Sequence, residues 1–334
     1  MIKPAVTHLI RPLALRAKHP VRVASLTSAL LLLCVQAHAL SHERIARIDA
    51  LMSTLDDRGQ FNGAILVAQR GEIIYRNGFG KANFQSGTHF TPDTPSNIAS
   101  VTKPFTAMAV MMLAERNKLR YDDAVSKYLP EFIGSAHLGK ITLRHLLTHT
   151  SGILDYGDLG IDDSRLDQQG LIRALLNKDA VFARPGLRYR YSNPGYALLA
   201  VVIQRVSGVP FGNFLVSEIF KPVGINNTFV YDSRGKKDPR TAVGYGQFGQ
   251  LDDADPTAIP GDGGIYSTVD DLFKWDQALY TDKLVRQSTL TETFTPATVE
   301  EGTSKYGFGW NVGQDGNHKY VWHTGNNAGF RAFI

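Results

Sequence analysis

Three short patterns bring together groups that could carry out nucleophilic chemistry. Ser100-Val101-Thr102-Lys103 sets a hydroxyl and an amine three residues apart. On a helix that spacing puts both on one face, so the ammonium lies against the hydroxyl. Where burial or cationic neighbours lower its pKa, the Lys103 amine can take the serine proton. Tyr191-Ser192-Asn193 offers a phenol and an amide two apart, which point the same way from an extended segment. Cationic neighbours that lowered the phenol's pKa would let it relay protons, and the amide could hold a substrate carbonyl. His323-Thr324-Gly325 lies in a strand-like stretch, where the glycine lets a substrate approach the backbone closely.

Each pattern is weak alone, and two have decoys. Ser233-Arg234-Gly235-Lys236 repeats the first in a polar loop, and Tyr75-Arg76-Asn77 repeats the second. Ser100 differs by opening an apolar-periodic helix, with Pro104 placed where a first turn tolerates it. Taken singly, a serine at a helix start is a cap, the tyrosine is core and the histidine a satisfied hydrogen-bonder. The trio in chain order carries more weight than its members. Other constellations are weaker still. His145 and His149 lie one helical turn apart without the glutamate of His-Glu-x-x-His, so no metal is expected. No Gly-x-Ser-x-Gly elbow occurs, and Asn77-Gly78-Phe79-Gly80 lacks the third glycine of a nucleotide loop. No cofactor is implied.

The elements that must position these groups follow from periodicity and punctuation. Ile45, Ile48, Leu51 and Leu55 predict an amphipathic helix over 41–56. Residues 63–69 and 72–75 flank Arg70-Gly71 as a hairpin with a tight turn. Helices are predicted over 101–115, 142–147 and 194–206, the last closed by Gly208. Residues 233–264, rich in Gly, Pro and Asp, read as long loops. Thr268 with Asp271 caps a helix to about Tyr280, and 319–322 and 330–333 read as strands. Strands at both ends with helices between predict an α/β (α+β) fold of two domains. Its antiparallel sheet domain takes about 40–115 and 255–334, with a helical insertion over about 116–254.

Composition narrows the function classes. The formal charge is +5, yet Lys3, Arg11, Arg16, Lys18 and Arg22 supply all of it. The neutral remainder has no electrostatic reason to seek nucleic acid. Those five residues, the apolar run Val23–Val35 and Ala37-His38-Ala39 predict a signal peptide over 1–39, cleaved after Ala39. Periplasmic or secreted location follows, with an uncleaved membrane anchor as the alternative. The single cysteine, Cys34, precedes the cut, which excludes disulfide, thiolate or cysteine-metal chemistry from the mature chain.

Ser100-x-x-Lys103, Tyr191-x-Asn193 and His323-Thr324-Gly325 together resemble the three motifs of the serine β-lactamase and penicillin-binding group. The Tyr-x-Asn form is similar to the class C branch, with its D-Ala-D-Ala carboxypeptidases and lactamase-like esterases. Residues 146–152 and 263–268 also resemble that branch. The resemblance implies Ser100 as the acylated nucleophile, Lys103 as its base, Tyr191 as a proton shuttle and Asn193 as a substrate-orienting amide. It implies that His323, Thr324, Gly325 and Asn326 bind substrate. The backbone N–H groups of Ser100 and Asn326 would form the oxyanion hole, worth about 3–4 kcal/mol per donor. His323 stands where class C β-lactamases carry a lysine, and a neutral imidazole holds a carboxylate less strongly than a fixed ammonium. β-Lactamase activity therefore ranks below peptidase (D-Ala-D-Ala type) and esterase activity. Arg331 could recognise a carboxylate if its strand turns it inward; an exposed charge is the alternative.

Members of the group usually continue beyond the histidine strand, whereas Ile334 lies nine residues after Gly325. The expectation is a fold truncated at its C-terminus, with an unpaired strand edge. The expected function is exported serine hydrolysis of small-molecule or peptide substrates, peptidoglycan stem peptides included. A non-catalytic relative that binds cell-wall peptides or a protein partner is the alternative.

Overall fold

The computed structural model describes residues 42–162, 166–177, 180–231, 238–246, 250–252 and 259–334. The expected signal peptide and the Ser233–Lys236 decoy lie outside the described residues. Two units divide the chain at Leu55/Asp56. The described part of the first, 42–55, belongs to helix α1 over 42–57. Its less exposed stripe is Ile45, Ile48, Met52 and Leu55, not the expected set, for Leu51 is 58% exposed and Met52 5%. Steps of three, four and three residues hold one line on a helix, whereas two steps of three drift off it.

The second unit holds the remaining described elements. Strands β1 (Gly63–Gln69) and β2 (Glu72–Phe79) pair antiparallel. Arg70 and Gly71 between them take φ 55° and 79°, the left-handed pair that matches strand twist in a two-residue turn. Then come β3 (Lys81–Asn83), β4 (Thr88–His89), β5 (Ser96–Asn97), β6 (Phe229–Val230) and β7 (Ile265–Ser267). The chain's last described strands are β8 (Asn311–Asp315), β9 (His318–Trp322), β10 (Thr324–Asn327) and β11 (Phe330–Phe333). Among the described residues every ladder is antiparallel, arranged as β1-β2, β3-β4, β5-β7-β6, β8-β9 and β10-β11. The β5-β7 pairing joins segments far apart in sequence, Ser96 facing Ser267. Strands β3 to β8 are additional to the sequence reading, and β10 extends the strand-like stretch read at 323–325 to Asn327. The Asn, Gly and Asp residues of β8 and the Gly and Asn residues of β10 carry little strand propensity, and their cross-strand partners hold them extended.

The helices are α2 (Thr102–Glu115), α3 (Leu143–Leu147), α4 (Tyr156–Leu159), α5 (Gln168–Asn177) and α6 (Asn193–Ser207). Helix α7 (Phe211–Leu215) passes through a π-helical turn (Val216–Phe220) into α8 (Lys221–Val223), and α9 (Val269–Ala278) and α10 (Gln287–Thr293) follow. Helices α2 and α6 are buried along most of their length. Apolar residues on all sides suit a helix enclosed by the core. Phe105 of α2 stacks on Trp275 of α9 with ring centroids 4.1 Å apart, both fully buried. The Ser192 side chain accepts from Gly195 N–H at the start of α6, and Gly208 at φ 73° closes it. Thr268 caps α9 as expected, accepting from Asp271 N–H at 3.2 Å. That helix ends at Ala278, two residues short of the expected Tyr280. Among the described residues no single helix is long and apolar enough to cross a membrane.

Candidate active site

Ser100 sits in a 3-10 turn (Ala99–Val101) that leads directly into α2. The turn is held from both sides. Ile98 N–H donates to the Ile265 carbonyl at 3.0 Å, and Ala99 N–H donates to Asn97 Oδ1 at 2.8 Å. Ala99 takes φ 48°, a left-handed conformation that a non-glycine residue keeps only where its surroundings enforce it. Lys103 follows in the first turn of α2, and the three-residue spacing puts its Nζ 3.0 Å from Ser100 Oγ.

Lys103 is fully buried and its Nζ has three partners. Besides Ser100 it reaches Asn193 Oδ1 at 2.7 Å and the Asp262 carbonyl at 2.8 Å. A neutral amine has two N–H bonds for the two carbonyl-type oxygens, which leaves its lone pair directed at Ser100 Oγ. The lowered pKa brings that neutral state within reach, as the form that prevails above about pH 8. Burial lowers the pKa from 10.5 to about 8, against the opposing pull of the Asp262 and Asp155 charges.

Tyr191 precedes α6, its hydroxyl interacts electrostatically with the Ser100 side chain, and Lys103 Nζ lies 4.8 Å from its ring centroid. Its pKa moves opposite to the sequence expectation. Burial, then the Asp262 and Asp155 charges, push the phenol well above its ordinary value. Lys103 is already neutral in the range where the phenol would titrate, so no cation opposes that rise. The phenol therefore stays protonated, suited to giving and regaining a proton, while Lys103 is the group poised as base.

Asn193 is held by Asp155, a residue outside the three motifs. Asp155 Oδ1 accepts from Asn193 N–H at 2.9 Å and Oδ2 from Asn193 Nδ2 at 3.1 Å. These bonds fix which way the amide faces, Oδ1 toward Lys103 and nitrogen toward Asp155. Asp155 is the N-cap of α4, just beyond the 146–152 stretch, and an aspartate at a cap is the only signal of it in the sequence.

His323 is only 2% exposed and both ring nitrogens are engaged. Nδ1 lies 2.7 Å from the Thr324 carbonyl and must donate, so Nε2 accepts from the Tyr306 hydroxyl at 2.9 Å. Burial, with the Lys103 charge beside it, lowers its pKa to about 3. It is neutral at working pH and has no free nitrogen for a substrate carboxylate. Thr324 and Asn326 alternate along β10 on the cavity side, while Gly325 faces away. A Cβ on Gly325 would stand 2.1 Å from the Ile98 carbonyl. The glycine thus permits close approach by the nucleophile turn, not by a substrate as the sequence suggested. Arg331 is exposed, folds over its own hairpin and donates to the Ala328 and Phe330 carbonyls at 2.7 Å.

Ser100, Tyr191, Asn193, His323, Thr324 and Asn326 line one cavity of about 350 Å³. Asn311 and Trp322, cross-strand partners on β8 and β9, complete its wall. Neither belongs to a motif, and only strand pairing brings them there. Among the described residues no group of three or more His, Cys, Asp or Glu is arranged to hold a metal ion. The arrangement can activate a hydroxyl, carry its proton through a phenol and hold a carbonyl by an amide.

Comparison with known proteins places this geometry. Residues 48–334 match the Beta-lactamase family. The chain is 34% identical over 312 residues to a penicillin-binding protein of Bacillus subtilis (strain 168), covering 86% of this chain and 68% of that one. An octameric penicillin-binding protein homologue from Pyrococcus abyssi superposes with TM-score 0.74 at 28% identity, over 86% of this chain and 70% of its own. A penicillin-binding protein from Bacillus halodurans gives TM-score 0.72 at 26% identity, over 84% and 90%.

Proposed function

Because this chain belongs to the Beta-lactamase family of serine hydrolases and shares its α/β fold, we propose that it is an exported enzyme working through an acyl-Ser100 intermediate. The observation that carries the reading is the buried Lys103 amine, held by two carbonyl oxygens with its third direction on Ser100 Oγ.

Neutral Lys103 removes the Ser100 proton as Oγ bonds to the substrate's carbonyl carbon. Charge gathers on the carbonyl oxygen, facing the backbone N–H groups of Ser100 and Asn326. Collapse of this intermediate breaks the bond to the leaving group. That group takes the Tyr191 proton, and the proton on Lys103 replaces it at the phenol oxygen. Water then attacks the acyl group along the reverse path, releasing the acid and restoring the Ser100 hydroxyl.

Esters and D-Ala-D-Ala-type peptides are the proposed substrates, lactams third. Among the described residues the cavity wall holds no arginine or lysine, which favours acyl groups recognised by amides and an aromatic ring over those needing a cation. The basic, apolar and small-residue pattern of residues 1–39 supports periplasmic or secreted location. Intact mass after a fluorophosphonate probe tests the core of this reading. One adduct is expected, absent from Ser100→Ala; folded protein without an adduct would overturn it.

A further inference from the structure

We infer that His149 is a positioning residue that aims Tyr191 at Ser100, gripping the tyrosine's segment by backbone and by ring. This rests on the reading of Tyr191 as the proton relay. The segment from 182 to 192 has neither helix nor strand, so no ladder or helical hydrogen bonds fix the direction of the Tyr191 side chain. His149 supplies that restraint from both sides. Its carbonyl accepts from Arg190 N–H at 2.9 Å, and its Nδ1 accepts from Ser192 N–H at 3.1 Å. The residues before and after Tyr191 are thus tied to one residue. The imidazole also lies against the phenol ring, with centroids 4.2 Å apart and planes tilted by 35°.

The local backbone is shaped for this grip. Helix α3 ends at Leu147, and His149 follows at φ 55° while 1% exposed. A buried non-glycine residue in that region is held by its surroundings, and the left-handed turn brings both carbonyl and ring toward residues 190–192. Because Nδ1 accepts, the ring proton is on Nε2. That nitrogen has no hydrogen-bond partner; the ring of Tyr306 stands beside the imidazole at 4.6 Å and that of Tyr196 at 5.0 Å. Leaving a buried N–H without a partner is costly, which a packing role alone would avoid with phenylalanine. An imidazole combines an edge acceptor with a flat face, and phenylalanine or asparagine offers one of these only. Protonation would turn the acceptor into a donor facing another donor. Burial, with Lys103 and His323 nearby, holds the pKa of His149 well below its ordinary value and keeps the acceptor available.

The test is hydrolysis of p-nitrophenyl butyrate by the full chain and by five variants: Ser100→Ala, Tyr191→Phe, His149→Phe, His149→Asn and the Tyr191→Phe/His149→Phe double. Circular dichroism and thermal unfolding accompany each. His149→Phe keeps the ring and loses the acceptor; His149→Asn keeps an acceptor and loses the ring. Each is expected to lower kcat about 10–100-fold with KM changed less than about twofold, as for a displaced reacting group. In the Tyr191→Phe background the His149 change should cost nothing further, because the group it aims is gone. Undiminished loss in that background, or wild-type kcat in both single variants, would overturn the assignment. If His149→Phe does not fold, His149→Asn with its own Tyr191→Phe double carries the same comparison. Turnover that survives Ser100→Ala, or that is unaffected by Tyr191→Phe, refutes the hydrolase or relay reading itself and takes the assignment with it.

Discussion

Asp155→Asn separates two roles that one carboxylate plays at this site. In the native protein its two oxygens take two hydrogen bonds from Asn193, at 2.9 and 3.1 Å, and the amide thereby presents Oδ1 to Lys103 at 2.7 Å. An asparagine at 155 has one acceptor oxygen, and its NH2 would face one of the Asn193 donors. A hydrogen bond to a charged group is worth about 1.5–3 kcal/mol. Losing one that orients the amide should therefore reduce plateau kcat/KM by a factor of about 10–150. The second role is electrostatic. The Asp155 charge raises the Lys103 pKa against the dominant effect of burial, so its removal lets that pKa fall. The acidic limb of the profile should then move to lower pH while the plateau drops. The assay is kcat/KM for p-nitrophenyl butyrate from pH 5 to 10, corrected for spontaneous hydrolysis, with thermal unfolding to confirm the fold. A folded variant whose plateau and limb both match wild type would refute the reasoning. A limb that moves upward would refute its electrostatic half alone.

Other consequences are open to the same methods. In wild type the neutral amine of Lys103 is the active form, so kcat/KM should rise with pH to a limb at about pH 8. Lys103→Arg, whose guanidinium does not deprotonate, should lose about 10²–10⁴ of kcat. A wild-type limb near pH 6.5 would instead point to a histidine. Gly325→Ala forces a Cβ to 2.1 Å from the Ile98 carbonyl, so strand or nucleophile turn must shift. About 1–3 kcal/mol of stability should go, read by urea unfolding, together with slower labelling by the fluorophosphonate. His323 has a folded pKa of about 3 against 6.5 unfolded. Its contribution is complete above pH 6.5 and is lost as pH falls toward 3, at up to about 1.4 kcal/mol per pH unit. His323→Gln should flatten that stretch of the stability–pH curve, and an unchanged slope would show that other groups govern it.

Much of this molecule is legible in local spacing. A three-residue step on a helix brings Lys103 against Ser100 whatever surrounds them. The Arg70-Gly71 turn, the Thr268 cap and the Gly208 stop follow from backbone preferences acting within a few residues. Motif order across 100, 191 and 323 suffices to identify the family and three of the cavity's walls. A short strand of weak propensity leaves no such trace: β8, built largely of Asn, Gly and Asp, is extended through its pairing with β9. Leu51 falls off the less exposed stripe of α1 because a second step of three leaves the line that a step of four, to Met52, keeps.

Other features rest on distant residues converging. Asp155 orients Asn193, the Asp262 carbonyl holds Lys103, and Asn311 and Trp322 face the cavity by cross-strand pairing; none carries a local signature of its role. Two motif residues also change meaning in the folded chain. Gly325 makes room for the Ile98 backbone, and His323 has both nitrogens committed inside the protein. The pKa directions belong wholly to tertiary structure. For Tyr191 burial removes water from the phenol oxygen and the Asp262 and Asp155 charges push the same way, so it titrates later than a free tyrosine. Sequence determines which groups can do the chemistry and where along the chain they lie. Burial and long-range contact, which sum over residues remote in sequence, decide which of those groups is the base, which the relay, and what aims them.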